Sequence, residues 1–175
     1  MGKGVFFMED QKERDYILSV RSRNTPGVLL RIAGLFSRRC YNILSIVAAQ
    51  TEDEQYSEMI IVVRGDGRIV RQVDRQLSKL VEIEQVTVLN RENAVVREHL
   101  LLRVKRTKKN SEKLVAVANL FHAEVLLVTP DHMIFELTGD ASALNSFIEL
   151  CKPYQVEKIL RTGAMAMTKQ EEETC

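Results

Sequence analysis

The chain repeats one rhythm twice, and that repeat restricts its fold more than any other feature. In the first pass Tyr16, Leu18, Val20 and Ser22 fall on one face of an alternating segment, and Ile17, Ser19, Arg21 and Arg23 fall on the other. This is the pattern of a half-buried strand. Val28, Ile32 and Leu35, with Leu29, Ala33 and Phe36, then recur at helical spacing. Pro26 suits the first turn of that helix, and Thr25 or Asn24 can cap it. Ile43 to Ala49 is apolar and rich in branched residues, and Met59, Ile61 and Val63 alternate with Glu58, Ile60, Val62 and Arg64, so both predict strands. A break at 64–67 is followed by Val70, Val73, Leu77 and Leu80, which mark a second helix. Ile83 to Leu89 reads as a strand whose phase slips near Gln85, as a bulge would cause.

The second pass keeps the rhythm with different residues. Leu100 to Val104 alternates, and Leu114, Val117, Ala118 and Phe121 form a helical stripe. Glu124 to Val128 and Met133 to Leu137 predict strands around a turn at 129–132. Leu144, Phe147, Ile148 and Cys151 follow at i, i+3, i+4 and i+7; Pro153 stops that helix, and Val156 to Leu160 closes the pattern. The order βαββαβ predicts a four-stranded antiparallel sheet with both helices on one face. The expected fold is therefore α+β, with two ferredoxin-like domains over 14–90 and 97–166, joined near Asn90–Arg97. Flexible tails are expected at 1–13 and 167–175. The sheet faces opposite the helices are left open, a reason for such domains to dimerise or find partners.

Composition narrows the function. Among 175 residues 28% are charged, yet the net charge is only +1. No strong field draws in nucleic acid or an anionic membrane. The basic run Arg103, Lys105, Arg106, Lys108 and Lys109 has no aromatic residue within it and reads as a solvated strand end and loop. The apolar run Val5 to Met8 is too short for a signal peptide, and no window reaches transmembrane length. Cysteines at 40, 151 and 175 contain no C-x-x-C and make a poor disulfide framework, which fits reduced thiols in a cytoplasm. Cys40 sits where the chain enters a strand and reads as a packed thiol.

Catalytic constellations are missing from the sequence. His99, His122 and His132 lie on separate predicted elements without metal-ligand spacing. There is no nucleophile elbow, P-loop or dinucleotide fingerprint. Glu52, Asp53 and Glu54 read as a solvated turn. The stretch Asn24-Thr25-Pro26-Gly27 offers more. It joins a strand to a helix, so the first helical N–H groups point outward and form a ready carboxylate site at the positive end of the helix dipole. Gly27 lets a ligand approach the backbone. Asn24 and Asn42 can each donate to a carboxylate or accept from an ammonium group. Val28, Leu29 and Ile43 can supply an apolar lining. Together they describe a receptor for a zwitterion with a branched aliphatic side chain. The same residues also suit an ordinary turn with a capping asparagine, and pattern alone leaves both readings open.

The run Asn24-x-x-Gly27-Val28-Leu29, continued by Arg31-Ile32-x-Gly34-Leu35-Phe36-x-Arg38-Arg39-x-Tyr41-Asn42-Ile43, resembles the ACT domain of the acetolactate synthase (acetohydroxyacid synthase) regulatory small subunit. The resemblance continues through Ser57-x-Met59, Gln76-Leu77-x-Lys79-Leu80, Leu100–Val104, Thr138-Gly139, Pro153-Tyr154 and Arg161-Thr162-Gly163. It implies a non-catalytic subunit that activates a large catalytic subunit and confers feedback inhibition by valine, leucine or isoleucine. Thiamine diphosphate, Mg and FAD are expected on that large subunit, and no cofactor on this chain. The resemblance further implies a homodimer with effector sites between two ACT domains. One protomer would contribute Asn24–Val28 and the other the strand start at Asn42. The chain departs from the family in having Cys40 where glycine is usual, Glu58 where arginine is usual, and Gln50 near a usual proline. A free-standing ACT-domain sensor serving another enzyme, and a small enzyme on a ferredoxin-like scaffold, are the alternatives.

Overall fold

The computed structural model describes residues 13–90 and 92–169. The expected N-terminal tail, apart from Glu13, and positions 170–175 lie outside these residues. The chain divides into two compact units. Among the described residues, one takes in positions up to Val95 together with those from Ala164, and the other is Val96–Gly163.

The first unit contains β1 (Arg14–Arg23), α1 (Val28–Arg38), β2 (Ile43–Gln50), β3 (Tyr56–Gly65), α2 (Gly67–Leu77) and β4 (Ile83–Leu89). The sheet order is β2-β3-β1-β4, with every neighbouring pair antiparallel. Tyr16, Leu18 and Val20 meet Val28, Ile32, Leu35 and Phe36 of α1 and Val70, Val73 and Leu77 of α2 in one core. This is the alternation read from β1 and the stripe read from α1. The register shifts between Arg21, opposite Gln85, and Ser22, opposite Ile83. One residue, Glu84, is extra, and the phase slip near Gln85 is that bulge. Leu80 lies beyond the last helical residue and packs on the core from the turn. Gly65 leaves β3 against Ile69, whose side chain would lie 2.8 Å from an added Cβ, so only glycine permits the tight entry into α2.

The second unit uses β5 (Ala94–Lys105) from Val96 onward, α3 (Ser111–Phe121), β6 (Glu124–Val128), β7 (His132–Gly139), α4 (Ala141–Cys151), a 3₁₀ turn at Lys152–Tyr154 and β8 (Val156–Arg161). Its strand order, β6-β7-β5-β8, repeats that of the first sheet. Leu100, Leu102 and Val104 pack against Leu114, Ala118, Leu144, Phe147 and Cys151. Burial pushes the Cys151 thiol up to about 11, so it stays neutral as a core side chain.

Three local expectations are corrected. Half of the interval expected to link the domains, Ala94–Arg97, is strand, because β5 starts at Ala94. Met167 and Thr168, expected in a flexible tail, belong to β9 (Met165–Thr168), which pairs with β5. Lys169 N–H donates to the Asn93 carbonyl at 2.9 Å beyond its end. Backbone pairing holds this strand, and alanine and methionine carry little strand signal in sequence. Cys40 is exposed rather than packed, with φ 55°. It closes α1 in a Schellman motif: Tyr41 N–H donates to Phe36 O at 3.0 Å and Cys40 N–H to Ser37 O at 3.1 Å. The Tyr41 ring meets Phe36 edge-on, with centroids 6.1 Å apart. A left-handed position of this kind suits the glycine that the family resemblance implies there.

Candidate functional site

The loop from β1 to α1 is anchored on both sides. Arg23 N–H donates to Glu82 O at 2.8 Å, and Asn24 N–H donates to Gln55 O at 2.7 Å. The Asn24 side chain adds a bond from Nδ2 to Glu54 O at 3.0 Å. Asn24 therefore does not cap the helix, and neither does Thr25. Its amide ties the loop to residues 54–55, and its Oδ1 remains as an acceptor.

Gly27 holds the N-cap position in the left-handed region, φ 89° and ψ −6°, with no side-chain capping bond. Pro26 accordingly precedes the helix instead of occupying its first turn. A Cβ on Gly27 would meet nothing within 4 Å, so its need for glycine is conformational and the space beside it is open. Helical bonding resumes at Arg31, whose N–H donates to Gly27 O at 3.0 Å. Val28 N–H reaches Thr25 O only at 3.4 Å. The N–H groups of Leu29 and Leu30 have no acceptor among the described residues. The first turn contains no acidic residue. Leu29 and Leu30 are 50% and 76% exposed. Arg31 pairs with Glu82 at 2.6 Å, so that carboxylate is already engaged by a cation. These features leave two donors at the positive end of a helix dipole with nothing among the described residues to answer them.

The other candidates separate. Val28 is 6% exposed and belongs to the core, and Ile43 is partly buried against it, so of the proposed apolar lining only Leu29 presents an open side chain here. Asn42 is exposed just before β2, beyond the C-terminal end of α1. The 11 residues of α1 span roughly 16 Å at 1.5 Å per residue. Asn24–Leu29 and Asn42–Ile43 thus sit at opposite ends of one helix. A site that uses both needs a second copy of the chain.

Sequence reasoning missed the loop that holds Asn24. Glu52–Glu54 reads as a solvated turn, and its backbone is ordered by local bonds: Thr51 Oγ1 donates to Asp53 O at 2.8 Å, and Gln55 N–H donates to Asp53 Oδ1 at 2.9 Å. The aspartate two residues before Gln55 is the available signal for that turn. Glu58, at the departure noted above, accepts a hydrogen bond from Ser19 Oγ across the strands. Among the described residues no group of three or more His, Cys, Asp or Glu could hold a metal ion, and no helix is long and apolar enough to cross a membrane.

Comparison with known proteins gives a consistent result. A family described as AHAS small subunit-like ACT domain matches residues 18–85, and one described as small subunit of acetolactate synthase matches 97–170. A probable acetolactate synthase small subunit of Archaeoglobus fulgidus is 40% identical over 154 residues, covering 88% of this chain and 96% of its own. The Mycobacterium bovis acetolactate synthase small subunit is 31% identical, covering 89% and 93%. The crystal structure of the small subunit from Thermotoga maritima superposes with a TM-score of 0.81 at 34% identity, over 91% of this chain and 99% of that one. Family matches on both units, and relatives aligned across nearly their whole length, place this chain in the acetolactate synthase small subunit family.

Proposed function

We propose that this chain is the non-catalytic regulatory subunit of an acetolactate synthase. It associates with the catalytic large subunit, raises its activity and makes it sensitive to a branched-chain amino acid. The observation that carries the reading is the unanswered start of α1: two free amides, no acid in the first turn and an open left-handed glycine. The amino acid's carboxylate docks on those amides, its ammonium meets Asn42 of a second copy, and its side chain lies beside Leu29. Thiamine diphosphate, Mg and FAD belong to the large subunit in this reading, and this chain contributes regulation and no reacting group.

The energies suit a feedback signal. Charge-assisted hydrogen bonds contribute about 1.5–3 kcal/mol each, and burying a branched aliphatic side chain contributes a similar amount. One methyl changes binding by roughly 1–3 kcal/mol, so valine, leucine and isoleucine compete for one site with graded affinity. Inhibition needs only a coupling of about 1–3 kcal/mol between effector binding and one state of the complex.

Reconstitution with the matching large subunit tests this. Acetolactate formation should rise when the chain is added and fall when the preferred amino acid follows. Asn42→Ala should weaken that amino acid's binding in calorimetry. Failure to co-purify with, or activate, any thiamine-diphosphate enzyme would instead point to a free-standing sensor.

A further inference from the structure

Among the described residues Ser22 is the only polar residue in the buried class, at 1% exposed. Its Oγ has no hydrogen-bond partner among them. A buried hydroxyl left unpaired costs free energy and needs an explanation. Its position suggests one. Tyr16, Leu18 and Val20 share its face of β1 and pack in one core with Val28 and Ile32 of α1. The Ser22 side chain therefore lies on the helix side of the sheet. Glu82 ties this end of β1 to the first turn of α1: its carbonyl accepts from Arg23 N–H at 2.8 Å, and its carboxylate meets Arg31 at 2.6 Å. Ser22 stands opposite Ser57 on β3 and opposite Ile83, the residue after Glu82. The bulge at Glu84 is the next step along, and bulges re-aim the side chains beside them. The other unpaired hydroxyl, Tyr16 Oη, is six residues away towards the far end of the strand.

We infer that Ser22 is a further binding residue of the amino-acid site, donating its hydroxyl to the carboxylate that the Leu29 and Leu30 amides receive. This rests on the amino-acid reading above and adds a residue to it. Three donors at one helix start, two N–H groups and one O–H, have no acceptor among the described residues. A carboxylate offers two oxygens and about four lone-pair sites, enough for all three. Ser22 is covered in the effector-free protein, so seating the carboxylate on it requires the loop at 24–27 to shift. That loop has a weak tie in the 3.4 Å bond from Val28 N–H to Thr25 O, and Gly27 has open space beside it. The effector-free protein thus carries the cost of an unpaired hydroxyl, and the effector relieves it. Removing the hydroxyl should then act with opposite signs, stabilising the free protein and weakening the complex. Because the bond is to the carboxylate, which all amino acids share, the loss should not depend on the effector's side chain.

Calorimetry of the full chain with valine, leucine and isoleucine tests the inference, together with denaturant unfolding in their absence. Ser22→Ala should weaken each amino acid that the wild type binds by about tenfold or more, with their ranking unchanged. The same variant should unfold at a higher denaturant midpoint than wild type. Ser22→Cys, of similar size but a weak donor, should show the same loss of affinity. Circular dichroism checks that both variants are folded. A folded Ser22→Ala that binds like wild type would overturn the inference. A lowered midpoint would overturn it too, because it would mean that the hydroxyl is already paired in the free protein. So would a loss that reorders the three amino acids, which would place Ser22 against the effector's side chain. A wild type that binds none of the three would instead remove the amino-acid reading itself, and this residue's role with it.

Discussion

The first helices of the two units hold the same place in the same fold, yet they begin differently. α3 starts at a closed terminus. Asn110 spends its side chain on the preceding loop, accepting from Thr107 N–H at 2.7 Å and donating to Lys105 O at 3.0 Å. Ser111 N–H is answered by Thr107 O at 3.2 Å, and Glu112 places a carboxylate in the first turn. α1 has none of this. The second helices of the two units, by contrast, match. Asp66 accepts from the N–H groups of Arg68 and Ile69, and Asp140 accepts from Ala143 N–H. Of the four α-helix starts among the described residues, α1 alone has neither a side-chain cap nor an acid in its first turn. One scaffold therefore serves twice, and the local chemistry of a single helix start separates a unit whose first amides are left open from one whose helix start is closed.

The largest test of this contrast is at Gly27. Gly27→Asp puts a negative charge where the effector carboxylate is proposed to dock. With two charge-assisted bonds at about 1.5–3 kcal/mol each, calorimetry should show affinity falling at least about a hundredfold. Gly27→Ala separates charge from strain: the left-handed backbone costs about 1–3 kcal/mol of stability, but the open space around the Cβ should preserve much of the affinity. An alanine variant as impaired as the aspartate one would refute the electrostatic account. Next in size is Asp140→Ala, which removes a cap at a closed terminus. Denaturant unfolding should record a loss of about 0.5–2 kcal/mol with effector affinity unchanged.

Leu30→Glu makes α1 resemble α3. The added carboxylate should stabilise the helix by about 0.3–1 kcal/mol while weakening the effector a few-fold, because it competes for the same dipole. The smallest effect concerns Asp66. Bonds from Ile69 N–H, then the Arg68 side chain, hold its carboxyl below the usual carboxylate range. A lowered folded value means that its contribution is present above the unfolded pKa of about 4 and is lost as pH falls through the folded value. The stability gap between wild type and Asp66→Ala should therefore narrow on acidification, and a gap that widened would contradict the capping role.

Much of this was legible in the residues. The alternation of Tyr16 to Ser22, the stripe of Val28, Ile32, Leu35 and Phe36, and the 3.6-residue spacing of Leu144 to Cys151 identified elements whose cores formed as read. Hydrophobic periodicity is local, so a linear pattern carries it. Asn24 and Gly27 were singled out correctly as a special strand-to-helix junction, but their roles changed. Asn24 ties down the 54–55 loop instead of capping, and Gly27 is itself the N-cap.

By itself the sequence determined the repeated βαββαβ order, the two cores and the family, because each rests on the spacing of neighbouring side chains or on a contiguous motif. Tertiary structure alone decided three things. It paired β9 with β5, placed Asn42 at the far end of α1 from Gly27, and set Ser22 opposite Ser57 and Ile83 on the first sheet. Each depends on which distant backbone supplies a hydrogen-bonding partner. Pairing between remote strands leaves no periodic trace in either strand, so register becomes visible only once the chain has closed on itself.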